Sequence, residues 1–242
     1  MNKFYQLLKQ AKVIDLSHGL DENSPVWPGN MPFQRELQLD YAQGCRVYNY
    51  CQAAGTGTHI DAPSHFISGG RSIAELSLTE LLAPACVIDV RNAVAANSDY
   101  AISPADIITW EQQFGSIPVG AVVLALTGWS ARWFNPQLYL NMDEQGFMHF
   151  PGFSREAAEL LVERKVVGVG IDTLSPDPGL QLDFAVHRIL LGTNKYLIEN
   201  LTNLEAIPAI GSYLCALPLK IAGGTEAGAR VIALYGDIKN RS

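Results

Sequence analysis

The sequence predicts an α/β fold: a mixed, partly barrel-like sheet with flanking helices. Three observations carry this. Strand-like runs are apolar on both faces, as in Ala121-Val122-Val123-Leu124-Ala125-Leu126, which suits a sheet covered by helices. Helix start signals are interspersed with those runs; Ser103-Pro104-Ala105-Asp106 offers an N-cap serine, proline at the first helical position and an acid in the first turn. Composition does not shift along the 242 residues and no Gly/Ser linker interrupts them, so one domain over 1–242 is expected.

Residues 2–10 read as a helix. Apolar and β-branched runs ended by turn residues predict strands over 12–16, 34–39, 47–52, 57–61 and 86–90. The helix capped by Ser103 runs to about Phe114 and is followed by a strand over 121–127. Ser154 caps a helix over 155–164, which turns Ala157, Ala158, Leu160 and Leu161 inward. A strand over 166–171, a helix over 184–191 ended by Gly192, and strands over 196–199, 213–217 and 230–235 complete the reading.

Hydrophobic content of 48% and charged content of 17% describe an ordinary globular chain. A net charge of −7 argues against nucleic acid and anionic membrane surfaces as partners. No run approaches the roughly 18 apolar residues of a membrane span. The first dozen residues, with lysines at 3, 9 and 12, lack the apolar core of a signal peptide, so a cytoplasmic location is expected. Cys45, Cys51, Cys86 and Cys215 form no Cys-x-x-Cys pair. Cys86 and Cys215 sit in apolar runs and read as small core residues. Gly-x-Ser-x-Gly, Gly-x-Gly-x-x-Gly and the P-loop pattern are absent, which argues against a serine hydrolase and against nucleotide cofactors.

The most informative stretch is Gly55-Thr-Gly-Thr-His59-Ile-Asp61-Ala-Pro63-Ser-His65. If 55–61 is extended, His59 and Asp61 share a face, and Pro63 turns the chain so that His65 returns toward them. Two imidazoles and a carboxylate around a turn suit a divalent ion such as Zn²⁺ or Mn²⁺; a self-satisfied buried His–Asp pair is the alternative. Farther on, Glu199 closes the apolar run Tyr196-Leu197-Ile198, where a carboxylate is costly to bury unless paired or metal-bound. An exposed strand end is the alternative there.

The 55–65 stretch resembles the motif His-x-Gly-Thr-His-x-Asp-x-Pro-x-His of the cyclase family of metal-dependent hydrolases, which includes bacterial kynurenine formamidases and isatin hydrolases. The resemblance extends over most of the chain: Asp15-Leu16-Ser17 with Pro25-Val26-Trp27-Pro28-Gly29, Thr127-Gly128-Trp129, Phe150-Pro151-Gly152-Phe153-Ser154, Asp172-Thr173 with His187 and Glu199, and Ala216 to Lys220 with Gly223-Gly224 and Ala229-Arg230. It implies a swivelling β/β/α fold and a homodimer or larger homo-oligomer. It also implies one or two divalent ions held by His59, Asp61, His187 and Glu199, with His65 as the acid–base histidine. Trp27 resembles the aromatic residue that lines the family's substrate pocket, and Phe66, Trp129 and Phe153 are candidates to complete it.

The implied activity is hydrolysis of a small-molecule amide, formamide or cyclic amide or imide by a water that the metal activates. A small-molecule-binding protein that kept the fold and lost hydrolysis is the alternative. One departure stands out: the motif's first histidine falls on Gly55. Cys51, Gln52, His149 or an added water are the candidates to replace that imidazole. For His18 and His149 a surface or structural role is expected, with His18 near the mouth of the site.

Overall fold

The structure, a computed structural model, describes residues 3–236. Helix α1 (Lys3–Gln10) leads into strand β1 (Lys12–Asp15), the hairpin of β2 (Gln34–Leu39) and β3 (Val47–Cys51), and the short β4 (His59–Asp61). Next come α2 (Leu78–Leu81), β5 (Leu82–Asp89), α3 (Arg91–Ala96), β6 (Ala101–Ile102), α4 (Pro104–Phe114) and β7 (Val122–Leu126). They are followed by α5 (Pro136–Leu140), β8 (Gly152–Phe153), α6 (Arg155–Glu163), β9 (Gly168–Ile171), α7 (Ala185–Gly192) and β10 (Tyr196–Glu199). The described chain ends with β11 (Ser212–Pro218) and β12 (Glu226–Tyr235).

Eight strands form one sheet in the order β1-β12-β11-β5-β7-β9-β10-β4, and β4 also pairs with β12. Every strand of this sheet but β1 therefore belongs to a closed barrel, and β1 lies outside against β12. Closure leaves no open edge around the barrel. Strands β5, β7, β9 and β10 run parallel, joined by crossovers that carry α3 and α4, then α5 and α6, then α7. Strands β4 and β11 run the other way, and β12, antiparallel to both, closes the barrel between them.

The doubly apolar strands now have their explanation. Along β7 every residue is buried. Val122, Leu124 and Leu126 belong to one cluster, with Ile60, Tyr196 and Val231, inside the barrel. Val123 and Ala125 face the other cluster, beneath Trp110, Trp129, Phe153 and Leu161 of the helical layer. The interior is tight: a Cβ at Gly170 of β9 would stand 2.7 Å from Leu124 Cδ2 and 2.8 Å from Leu201 Cδ1. Cys86 lies in the outer cluster as expected, and burial pushes its thiol up to about 11.

Several local expectations change: β5 begins at Leu82 and β12 at Glu226, ahead of the expected 86 and 230, and α2, α3 and α5 were not expected. The strand expected over 57–61 shortens to β4, because Gly57 takes φ +71 and the residues before it turn. Strands β2 and β3 pair only with each other and stay largely exposed. Gly192 is the last residue of α7 rather than its stop; Asn194, at φ +67, makes the left-handed turn that asparagine tolerates. The two-residue β6 and β8 carry no readable pattern and were not expected. Residue 2 of the expected first helix lies outside the described residues. Among the described residues no helix is long and apolar enough to cross a membrane.

Candidate metal centre

Strand β4 sits between two acidic neighbours. Across one side, Glu199 of β10 pairs with His59; across the other, Glu226 of β12 pairs with Asp61. His59 and Asp61, two residues apart, point the same way. After Pro63 the chain makes a single 3₁₀ turn over Pro63–His65, which brings His65 back over the site. His187 comes from the first turn of α7. That turn has no side-chain cap of its own at Phe184; instead the carboxylate of Asp177 accepts from the Val186 N–H at 2.7 Å and the His187 N–H at 3.1 Å.

The two imidazoles and two carboxylates form a closed set. His59 Nε2 lies 3.3 Å from Asp61 Oδ1 and 3.2 Å from Glu199 Oε2. His187 Nε2 lies 3.4 Å from Asp61 Oδ2 and 3.3 Å from Glu199 Oε1. Each carboxylate thus spans both histidines, one oxygen to each. Neighbouring donors in a tetrahedral shell with bonds near 2.0–2.1 Å stand roughly 3.3 Å apart. All four residues are buried, and Asp61 Oδ1 has no hydrogen-bond partner.

The histidines are prepared to present a lone pair. His59 Nδ1 donates to the Gly57 carbonyl at 2.8 Å, and His187 Nδ1 donates to Asp177 Oδ2 at 2.6 Å. This leaves each Nε2 facing the carboxylates, the arrangement that fixes tautomer and ring orientation in metal sites. Burial disfavours charge on either imidazole, yet Asp61 and Glu199 outweigh it at His59, and Asp177, Asp61 and Glu199 outweigh it at His187; both are raised well above the ordinary value. Burial likewise opposes ionisation of Asp61, but the positive charge of His59, and His187 beside it, hold its carboxyl well below the usual range. The site demands positive charge, which protons or a divalent ion can supply. Two groups have the spacing to hold one: Asp61 with His65 and His187, and His59 with Asp61 and Glu226. Asp61 is common to both.

Replacing Asp177 with Asn removes the oxygen that holds the His187 ring. Metal affinity is expected to fall about 10–100-fold, measured by competition with a chromophoric chelator. The amide oxygen that remains can still accept from the Val186 N–H, so α7 should lose little stability and the change reports on the ring of His187.

The set lies at the floor of a cavity of about 510 Å³ walled by Trp27, Phe66 and Phe184. Phe184 is held at φ +50, a conformation costing on the order of 1–3 kcal/mol, at the point where it enters the cavity. Trp27 lies 5.9 Å from Phe184 and Phe66 lies 5.6 Å from it, so the wall is aromatic on several sides. Trp129 and Phe153 do not line this cavity; both are buried in the outer core, as aromatics flanked by apolar neighbours are.

None of the three side chains expected to replace the missing imidazole lines the cavity. Cys51 is exposed at the end of β3 with its sulfur 3.3 Å from Met31 Sδ. Gln52 does not line the cavity. His149 pairs with Asp99 and Asp143 at 2.9 and 3.4 Å, a structural arrangement away from the centre. His18 stacks on Trp133 at 4.0 Å and lines a different cavity, not the mouth of this one. Burial pushes it down to about 4.

Two charged residues lining the cavity were not anticipated. Glu226 has Oε2 3.2 Å from His65 Nδ1. Burial and then the negative charge of Asp61 push its carboxyl up, against the pull of His65 and His59. Arg188, next to His187 on α7, sets its guanidinium over Phe66 at 5.5 Å. Neither carries a local signal: Glu226 reaches the site through the long-range β4–β12 pairing, and Arg188 through the rotation of α7.

The Cyclase family model matches residues 14–178. An isatin hydrolase of Roseibium aggregatum is 36% identical over 188 residues, covering 74% of this chain and 71% of its own. A kynurenine formamidase of Polaromonas naphthalenivorans is 29% identical over 226 residues, covering 93% and 91%. The crystal structure of an isatin hydrolase bound to the product analogue thioisatinate superposes with a TM-score of 0.91 at 30% identity, covering 97% of this chain and 96% of its own.

Proposed function

This chain belongs to the cyclase family of metal-dependent hydrolases, and on that premise we propose that it hydrolyses the C–N bond of a small planar amide: an aryl formamide or a cyclic amide fused to an aromatic ring. The observation that carries this is the set of two imidazoles and two carboxylates, all at 3.2–3.4 Å, on the floor of an aromatic cavity. His59, Asp61, His187 and Glu199 would hold two divalent ions, Zn²⁺ or Mn²⁺. A bound divalent ion supplies Lewis acidity toward the carbonyl and makes water a nucleophile near neutral pH.

The side chains divide the remaining work. Trp27, Phe66 and Phe184 receive the planar substrate and exclude water around it. His65, which lines the cavity beside Phe66, takes a proton from the attacking water and returns it to the departing nitrogen. Water oxygen bonds to the carbonyl carbon, the C–N bond breaks, and a carboxylate and an amine result. Arg188 provides a positive group for the carboxylate so formed. Assembly as a homodimer or larger homo-oligomer belongs to the same reading. The hairpin β2–β3 supports it by exposing Leu37, Leu39, Val47 and Tyr50.

The test is turnover by chain loaded with Mn²⁺ or Zn²⁺. Isatin and an N-formyl arylamine are the substrates to try, because the relatives are an isatin hydrolase and a kynurenine formamidase. Hydrolysis of at least one, at least a millionfold above the uncatalysed rate, is expected. Tight binding of metal and of both compounds without turnover would contradict the proposal.

A further inference from the structure

We propose that Glu226 is a metal ligand that occupies the space released by glycine at position 55, giving the His59 side of the centre an oxygen-rich shell suited to a hard divalent cation. The inference rests on the metal-centre reading above. A Cβ built at Gly55 would stand 2.5 Å from Glu226 Oε1 and 3.1 Å from His59 Nε2. A side chain at 55 and the carboxylate of Glu226 are therefore alternatives for one place beside His59. The registered pairing of Glu226 with Asp61 across β4–β12 puts that carboxylate there. His59, Asp61 and Glu226 offer ligand atoms within 4.8 Å of one another. The independent sign of a missing ligand is Asp61 Oδ1: the residue is 1% exposed and this oxygen has no hydrogen-bond partner.

The two halves of the centre then differ in chemistry. On one side a single imidazole, His59, stands with oxygens of Asp61, Glu199 and Glu226. On the other, His187 stands with Asp61 and Glu199 and with His65 nearby. Carboxylates favour Mn²⁺ and similar hard ions, whereas added imidazole favours Zn²⁺. The His59 side should therefore select Mn²⁺ more strongly than the His187 side.

Metal titration with Mn²⁺ and with Zn²⁺, read by elemental analysis and Mn²⁺ magnetic resonance, decides this for the wild-type chain, Glu226→Gln, and the double variant Gly55→His with Glu226→Ala. Glu226→Gln should weaken Mn²⁺ at one of two positions at least tenfold and leave the other unchanged. The double variant should regain the second ion with preference moved toward Zn²⁺, which also shows that the site still folds. Unchanged Mn²⁺ binding in Glu226→Gln, with only turnover lowered, would overturn the proposal and leave Glu226 as a partner of His65; the metal-centre reading would survive. A wild-type chain that binds no ion would overturn both.

Discussion

Asp61→Asn should empty the centre. The carboxylate gives one oxygen to each histidine, so its loss removes a shared ligand from both positions at once. The amide that replaces it turns N–H groups toward an imidazole lone pair or a second carboxylate. Hydrolysis is expected to fall about a thousandfold or more, since losing about 4 kcal/mol of charge stabilisation costs three factors of ten. Elemental analysis should find little metal retained. A stability readout separates this from misfolding. Metal at 100 times its Kd stabilises a wild-type fold by about 2.7 kcal/mol, and this gain should vanish in the variant. The metal-free variant should melt lower than metal-free wild type, because Asp61 faces His59 and His187 and its loss leaves their positive charge less compensated, so the readout is the metal-dependent gain of each chain over its own metal-free form.

His65→Asn gives the complementary result. The residue is only half-buried and its Nδ1 faces Glu226, not the shared carboxylates. Its replacement should lower kcat by about 10²–10⁴-fold, the usual contribution of a positioned acid–base group. Metal content should stay within a factor of two of wild type. A loss of ions matching the loss of rate would make His65 a structural ligand instead.

The parts of the site that follow from local spacing were legible in the sequence. A two-residue period places His59 and Asp61 on one face, and Pro63 enforces the turn that returns His65; neither depends on distant chain. The doubly apolar β7 likewise announced a covered sheet. The closed barrel was less legible, because closure rests on β4 pairing with both β10 and β12, strands that lie far along the chain. Glu226 was invisible for that reason: nothing in Gly-Gly-Thr-Glu-Ala-Gly-Ala-Arg says which strand it will face. The vacancy at Gly55 was visible, but its occupant was not. The nearby candidate Cys51 failed because the chain turns between β3 and β4, so an unbroken strand does not carry its sulfur inward. Trp129 and Phe153 misled because an aromatic in an apolar context reads the same whether it lines a cavity or fills a core.

The most direct test of the metal-hydrolase account is metal content and hydrolysis measured on one preparation. The chain is saturated with Mn²⁺ or Zn²⁺, freed of loose ions by gel filtration, analysed, then stripped with chelator and reloaded. The account predicts about two ions per chain, hydrolysis of an aryl amide that disappears with the ions, and recovery on reloading. A chain that retains no ion, or that hydrolyses equally well after stripping, would contradict it.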